Sequence, residues 1–408
     1  MNIQKDNMGI TSPKGFRAAG NHIGIKKSKT DLTLLVSDAP AVCAGVFTQN
    51  LVQAAPVTWD RDIVNKGQMV QGLLINSGNA NACTGQQGDH DNQAMAKTFA
   101  DLLGATPEEV LVCSTGVIGV PLPMDVIIPG IQSTFLSLGR SATHGSDAAD
   151  GIMTTDTFSK TITVTITLSG HTITMSGMAK GSGMIHPNMA TTLGFITTDA
   201  AISKKLLQKA LSEVVLDTFN MVSVDGDTST NDTLLVLANG MGGNPTINEE
   251  NEDYAIFKDA LFEVNKKLAM DIAKDGEGAT KLLEASVTGA KTKEDARAIA
   301  RSVISSSLLK AAMYGADANW GRVLCAMGYS GGMFNVQKVD IEFQSVAGTI
   351  SLMKDGAPVP FSEEKALEIL NEKEITVKIT LGDGDAFATA WGCDLTYDYV
   401  KINGEYRS

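Results

Sequence analysis

The chain has 408 residues, 43% of them hydrophobic and 19% charged, enough for two to three structural lobes around large cores and far from a disordered composition. Its formal net charge of −13 excludes a nucleic-acid backbone or an anionic membrane as the main partner, because such surfaces need a basic excess. No run approaches the ~20 apolar residues of a membrane span, and Met1-Asn-Ile-Gln-Lys-Asp6 has no signal-peptide core; a cytoplasmic protein is expected.

In chain order, residues 14–59 predict consecutive antiparallel strands at Leu32–Ser37, Val42–Phe47 and Val57–Trp59 between glycine-rich turns. Met69–Ile75 reads as a strand leading into the loop Asn76–Gly85. A helix carries Ala94, Phe99, Leu102 and Leu103 at helical spacing. Val110–Cys113 is a buried strand entering Ser114-Thr-Gly-Val-Ile-Gly119, and Met124–Leu138 is helix. Strict alternation over Thr161–Leu168, then Ser169-Gly170, predicts a hairpin with Thr172–Met175.

The stretch Lys180-Gly-Ser-Gly-Met-Ile-His-Pro-Asn-Met-Ala-Thr-Thr192 comes next, followed by a strand-like run to Asp199. Further on are a helix over Ser203–Phe219, the polar loop Val224–Asp232 and a strand at Thr233–Ala238. The acidic patch Glu249–Asp253 opens a long helix to about Lys274, where acidic residues suit a helix start. The last third predicts a strand at Leu282–Val287, a helix over Lys293–Leu309 and a short one near Trp320–Met327. Strands and the helix Ser362–Asn371 then alternate to Val400, before the tail Lys401–Ser408. Hairpins mixed with β–α segments point to an α/β chain with antiparallel or mixed sheets and helices outside them, not a doubly wound parallel sheet.

Several motifs exclude chemistries. Gly181-Ser-Gly lacks dinucleotide spacing, and Lys180 precedes its glycines, so it is not a P-loop. Asp225–Asp232 has Thr230 and Val236 where a calcium loop needs Gly and Glu, and reads as a turn-forming polar loop. The five histidines show no ligand spacing, so a metal enzyme is not expected. The five scattered cysteines are read as buried free thiols.

Other motifs invite chemistry. A Thr after a small residue, as in Ala190-Thr191, can attack the preceding carbonyl and then become a new N-terminus. It would carry both a nucleophilic hydroxyl and an α-amine as its base. Thr115-Gly116, after a buried strand, could aim a hydroxyl and an N–H at a developing oxyanion. Glu277, held between two glycines, is either a solvent-facing turn residue or a positioned acid–base.

These pieces together resemble the ornithine acetyltransferase (glutamate N-acetyltransferase) family of arginine biosynthesis over essentially the whole chain. The resemblance rests on Pro13–Gly20, Gly45–Thr48, Asn76–Gly85, Ser114–Gly119, Met153–Thr157, the very specific Lys180–Thr191 string, Val224–Asp232, Asp275–Lys281 and Asn403–Ser408. It implies stacked mixed sheets flanked by helices and self-cleavage between Ala190 and Thr191. The products would be an α chain, residues 1–190, and a β chain, residues 191–408, associated as an α2β2 heterotetramer.

Carried over by motif, Thr191 is the nucleophile and Thr115 and Gly116 form the oxyanion hole. Lys180, Glu277, Asn403, Ser408 and a Thr of the Thr154-Thr155 pair, with Thr155 preferred, bind substrate. Glu277 also serves proton exchange. The implied reaction passes acetyl from N2-acetylornithine to glutamate by a ping-pong cycle with no cofactor and no metal; acetyl-CoA as a second acetyl donor is left open. A self-processing aminopeptidase and a non-enzymatic binding protein are the rival readings. The second predicts one intact band on a denaturing gel.

Overall fold

The computed structural model describes residues 1–3, 8–186 and 192–405. Its first sheet has nine strands, in the order Asn2–Ile3, Lys160–Leu168, His171–Lys180, Leu193–Thr198, Thr233–Ala238, Leu32–Phe47, Val70–Asn79 and Val110–Val117. Phe16–Asn21 adds to the first half of Leu32–Phe47. Leu193–Thr198 runs parallel to Thr233–Ala238 and antiparallel to His171–Lys180, so the sheet is mixed.

The expected strands Leu32–Ser37 and Val42–Phe47 are one 16-residue strand. Its first half pairs with Val70–Asn79 and its second with Thr233–Ala238, with an irregularity between Val36 and Ala41. The two halves of the sheet stack on each other. Leu73, Ile75, Leu111 and Cys113 from one half share a buried cluster with Met178, Leu193, Phe195, Leu235 and Leu237 from the other.

Val57–Trp59, expected as strand, lies instead in the helix Ala55–Lys66. Three residues cannot report a period, but Pro56 in the first turn and left-handed Gly67 at the end are helix boundaries. Its Asp60 is wholly buried and accepts from the Val112 amide at 2.8 Å, which ties the helix to the Thr115 strand.

The second sheet has seven strands in the order Ala357–Pro358, Gly348–Lys354, Asp340–Ser345, Glu374–Thr380, Leu282–Ala290, Ala386–Cys393 and Val222–Ser223. The helix Glu252–Lys274 packs against the hairpin strands of the first sheet and against Ala386–Cys393 of the second. Asn251 caps it by accepting the Tyr254 amide. Phe257, Leu261, Val264, Leu268 and Ile272, spaced three and four apart, form its buried stripe. Burying each such side chain contributes about 1.5–3 kcal/mol.

The expected hairpin turns at Ser169-Gly170, both with positive φ as a tight two-residue turn requires. The helix expected over Lys293–Leu309 is two, Lys293–Ser305 and Ser307–Tyr314, because Ser306 is extended and caps the second. The chain end departs most from expectation: Tyr397–Glu405 is a helix. All five cysteines are free; Cys43, Cys113 and Cys393 are buried, whereas Cys83 and Cys325 are exposed. Among the described residues no helix is long and apolar enough to cross a membrane.

Candidate active site

Strand order builds the centre of the site. Leu193 pairs with Lys180 on one side and with Thr233 on the other, so Lys180, Thr192 and Asp232 stand abreast at one end of the first sheet. Asp232 Oδ1 accepts the Thr192 amide at 2.6 Å, and the Thr233 amide donates to the Thr192 carbonyl at 2.8 Å. Between these two bonds Thr192 is held at a φ of +94°. A β-branched residue there is a steric outlier, worth about 1–3 kcal/mol of strain.

The stacked half-sheet supplies the second wall. Thr115 and Gly116 lie within the strand Val110–Val117, paired with Ser77 and Gly78, rather than in a loop beyond it. Gly116 has φ +133°, and a Cβ on it would sit 2.3 Å from the Gly78 carbonyl carbon, so no side chain fits. Lys180 Nζ donates to Thr115 Oγ1 at 3.4 Å. Asn231 Nδ2 donates to the carbonyls of Ala80 at 2.6 Å and Ser114 at 2.8 Å, which fastens the polar loop to this wall.

A buried ionic network supports the third wall. Asp156 accepts from the Thr154 and Gly181 amides at 2.9 and 2.7 Å and from Lys160 Nζ at 2.8 Å. Lys160 also binds Asp275 at 2.6 Å, and Asp275 accepts the Thr157 amide. Thr155 and Ser182 share a hydroxyl hydrogen bond of 2.6 Å.

Past Asp275, the Glu277 amide donates to the Ser182 carbonyl at 2.9 Å. The Glu277 carboxylate lies against Gly183, where an added Cβ would be 2.3 Å from its Oε2. The terminal helix closes the site: Asn403 Nδ2 donates to Glu277 Oε2 at 2.8 Å. Tyr399 donates to Asp225 at 3.3 Å, and Asp225 also accepts the Met184 and Ile185 amides at 2.7 and 2.8 Å.

Burial dominates the electrostatics. It pulls the Lys180 ammonium below the usual lysine range, with nearby Lys160 acting the same way and Asp156, Asp232 and Glu277 opposing. It pushes Asp232 up to about 7 against the stabilising Thr192 amide and Lys180. For Asp156 burial also acts upward, but Lys180 and Lys160 outweigh it and hold the carboxyl at about 2.

Thr115, Gly116, Thr154, Thr155, Lys180, Glu277 and Asn403, the sequence-derived candidates among the described residues, all line one cleft of about 110 Å³. An adjoining chamber is lined by Thr115, Lys180, Thr192 and Asp232. Ala190, Thr191 and Ser408 lie outside the described residues. Both members of the Thr154-Thr155 pair reach the cleft. A larger groove of about 1010 Å³, bordered by Arg61, Lys204 and Lys205, contains none of the candidates.

Sequence reasoning missed Asp225, Asp232 and Asn231. They sit in the loop read as turn-forming, and its run of carboxylates without a metal-ligand pattern was the available signal. Among the described residues there is no cluster of three or more His, Cys, Asp or Glu arranged to hold a metal.

A mixed two-sheet α/β fold with a small polar cleft, walled by backbone and hydroxyl donors and a buried lysine, defines the class: an enzyme for a small substrate. The chain belongs to the ArgJ family, whose model matches residues 17–408. It is 53% identical over 399 residues to "Arginine biosynthesis bifunctional protein ArgJ" of Caldanaerobacter subterraneus, covering 98% of both chains. It is 48% identical over 399 residues to the protein of the same name from Bacillus subtilis, covering 98% of this chain and 96% of that one. The crystal structure of the Bacillus halodurans argJ protein is 46% identical, with a TM-score of 0.50, and covers 52% of this chain and 98% of that one.

Proposed function

We propose that this protein carries an acetyl group from N2-acetylornithine to glutamate on the Thr191 hydroxyl, and that its chain is first cut between Ala190 and Thr191. The carrying observation is the gathering of Thr115, Gly116, Thr154, Thr155, Lys180, Glu277 and Asn403 around one cleft, from segments up to 288 positions apart in sequence. The adjoining chamber reaches Thr192, one peptide beyond the nucleophile.

In the first half-reaction Thr191 Oγ adds to the acetyl carbonyl and its proton passes to the α-amine. The oxyanion is met by the Thr115 hydroxyl and the Gly116 N–H. The C–N bond of acetylornithine then breaks, ornithine leaves with the proton, and an acetyl ester remains on Thr191. Glutamate's amine attacks that ester, which restores the free hydroxyl and releases N-acetylglutamate. Glu277 relays protons at the two amines, and Lys180, Asn403 and Ser408 hold the common amino-acid portion.

"Bifunctional" in the relatives' names supports a second activity, for which acetyl-CoA is the donor and glutamate the acceptor. No resident cofactor or metal is invoked. Cleavage gives chains 1–190 and 191–408, and the solved relative's chain, which spans about half of this one, supports that division. The assembly is read as α2β2, in the cytoplasm.

The test is direct. The wild-type protein runs as two fragments of about half its 43.0 kDa mass on a denaturing gel and transfers acetyl from acetylornithine to glutamate. T191A stays intact and inactive; a T191A protein that still self-cleaves and transfers would sink the reading.

A further inference from the structure

The cleft of about 110 Å³ is sized for a small substrate, well below the ~300–1,000 Å³ that larger ligands fill. Acetyl-CoA, the donor in the second activity, must therefore keep its nucleotide outside it. Two larger cavities could take that part. The one of about 450 Å³ is bordered by Asp275, Asp398 and Glu405 beside two lysines, carboxylates that repel a phosphate. The groove of about 1010 Å³ has Arg61, Lys204 and Lys205 on its walls and no carboxylate among its lining residues, in a chain whose net charge is −13.

None of these three cations forms an ion pair with a described carboxylate. Arg61 donates to Gln53 Oε1 at 2.8 Å and to the Thr48 carbonyl at 3.3 Å, and lies over the Phe47 ring; a guanidinium has further donors to give. Lys204 Nζ donates to the Val64 carbonyl. Lys205 is exposed; Glu250 is near enough to feel its charge but pairs with Lys209. Lys205 also stands in the first turn of the helix Lys204–Val214, where the helix dipole favours an anion.

The groove opens at the same end of the first sheet as the cleft. Phe47 on its wall pairs with Thr233, and Thr233 pairs with Leu193, so it begins two strand spacings, ~10 Å, from the central strand. One loop intervenes. Thr48 donates through its amide to the Asp232 carbonyl at 2.8 Å and through Oγ1 to the Ser229 carbonyl at 2.7 Å, and the Ala54 amide donates to the Thr230 carbonyl at 3.1 Å. Thr48 and Gln53 border the groove, while Ser229 and Thr230 line the cleft. Leu51 and Val52, within this loop, are exposed.

We propose that this groove binds the phosphate-bearing nucleotide of acetyl-CoA, with Arg61 and Lys205 meeting the phosphates and the flexible arm crossing the Thr48–Ala54 loop to bring the thioester to the cleft. This rests on acetyl-CoA being the second donor. Acetylornithine carries no phosphate, so the groove serves one of the two activities and is idle in the other.

K205E tests it, because Lys205 makes no hydrogen bond or ion pair with a described residue and its replacement leaves the fold intact. Reversing its charge should raise KM for acetyl-CoA about tenfold or more in the acetylation of glutamate, while kcat and KM for transfer from acetylornithine stay at wild-type values. K205Q should give a smaller rise in the same direction. Adenosine 3′,5′-bisphosphate, the nucleotide part of CoA, should compete with acetyl-CoA and leave transfer from acetylornithine uninhibited. An unchanged KM for acetyl-CoA in K205E, or an equal rise for acetylornithine, overturns the proposal. Inhibition of both reactions by the bisphosphate also overturns it, since the nucleotide would then occupy the cleft. If the wild type transfers acetyl from acetylornithine but does not accept acetyl-CoA, the second-activity reading fails and takes the proposal with it; an active wild type with an indifferent K205E overturns the groove alone.

Discussion

Lys180 and Thr115 meet at 3.4 Å although four strands separate theirs in the sheet order. Strands lie ~4.8 Å apart, so a flat sheet would hold these residues far beyond a lysine's reach. The irregularity in Leu32–Phe47 and the stacking of the two half-sheets bring them together. The oxyanion wall and the central strand are thus joined by packing, and the Thr115 hydroxyl faces the cleft at a fixed place.

Removing that hydroxyl should therefore affect rate more than stability. T115A is expected to lower kcat for acetyl transfer by ~100–1000-fold, the usual loss for one oxyanion donor, and to slow self-cleavage. T115S should recover most of it. Steady-state kinetics beside circular-dichroism melting distinguishes this from misfolding.

Asp156 predicts an acid limit. Its folded carboxyl titrates at about 2, below the ~3.9 of an unfolded chain. Its stabilisation is full above about pH 4 and is lost as pH falls through about 2. The wild-type Tm should drop over that window. D156N, which leaves the buried Lys160 with Asp275 as its carboxylate partner, should be less stable by about 2–3 kcal/mol at neutral pH, at 1.36 kcal/mol per pH unit of the depressed Asp156 carboxyl, and should show a flatter dependence there.

Asp232 has the opposite sign. Its folded carboxyl titrates at about 7, above the unfolded value, so its contribution is fully present below about pH 4 and lost as pH rises through about 7. At pH 8, D232N is expected to be more stable than wild type by up to ~4 kcal/mol, at 1.36 kcal/mol per unit; near pH 4 the difference should vanish. Chemical denaturation at the two pH values measures it.

Gly183 and Asn403 both set the place of Glu277. G183A inserts a Cβ 2.3 Å from Glu277 Oε2 and should raise KM for acetylornithine and glutamate at least tenfold while leaving the chain folded. N403A removes the exposed hydrogen bond to Glu277 and a second one to the Tyr399 carbonyl; loss of the first is worth about 0.5–1.5 kcal/mol. A KM increase of about two- to tenfold is expected. Parallel kinetics of the two variants tests the common cause.

Local pattern made much of the fold readable. The alternation in Thr161–Leu168, the turn at Ser169-Gly170 and the apolar spacing in Glu252–Lys274 each fix an element by period. Val57–Trp59 was too short to show one, and its helix depends on Pro56, Gly67 and burial against the Val110–Val117 strand. The Tyr397–Glu405 helix is held by Tyr399 and Asn403 reaching to Asp225 and Glu277, contacts that no local pattern reports. The same reason hid Asp232: as a loop residue it looked ordinary until the sheet order set it beside Thr192. Lys180, Thr115 and Glu277, by contrast, stood in motifs distinctive enough to name in advance.

The order of the first sheet has a consequence for how the molecule can be made. Leu193–Thr198 and Thr233–Ala238, both beyond residue 190, are wedged between His171–Lys180 and Leu32–Phe47, both before it. A cut at 190–191 opens only the connection between neighbouring antiparallel strands and breaks none of their pairing. The two products would be interleaved, each missing the strands that complete its half of the sheet. An intact precursor can fold in a first-order process at any dilution, whereas a processed protein once unfolded must reassemble from two chains, at a rate that falls with dilution. Cleavage would thus convert a reversible folding reaction into a single-use assembly.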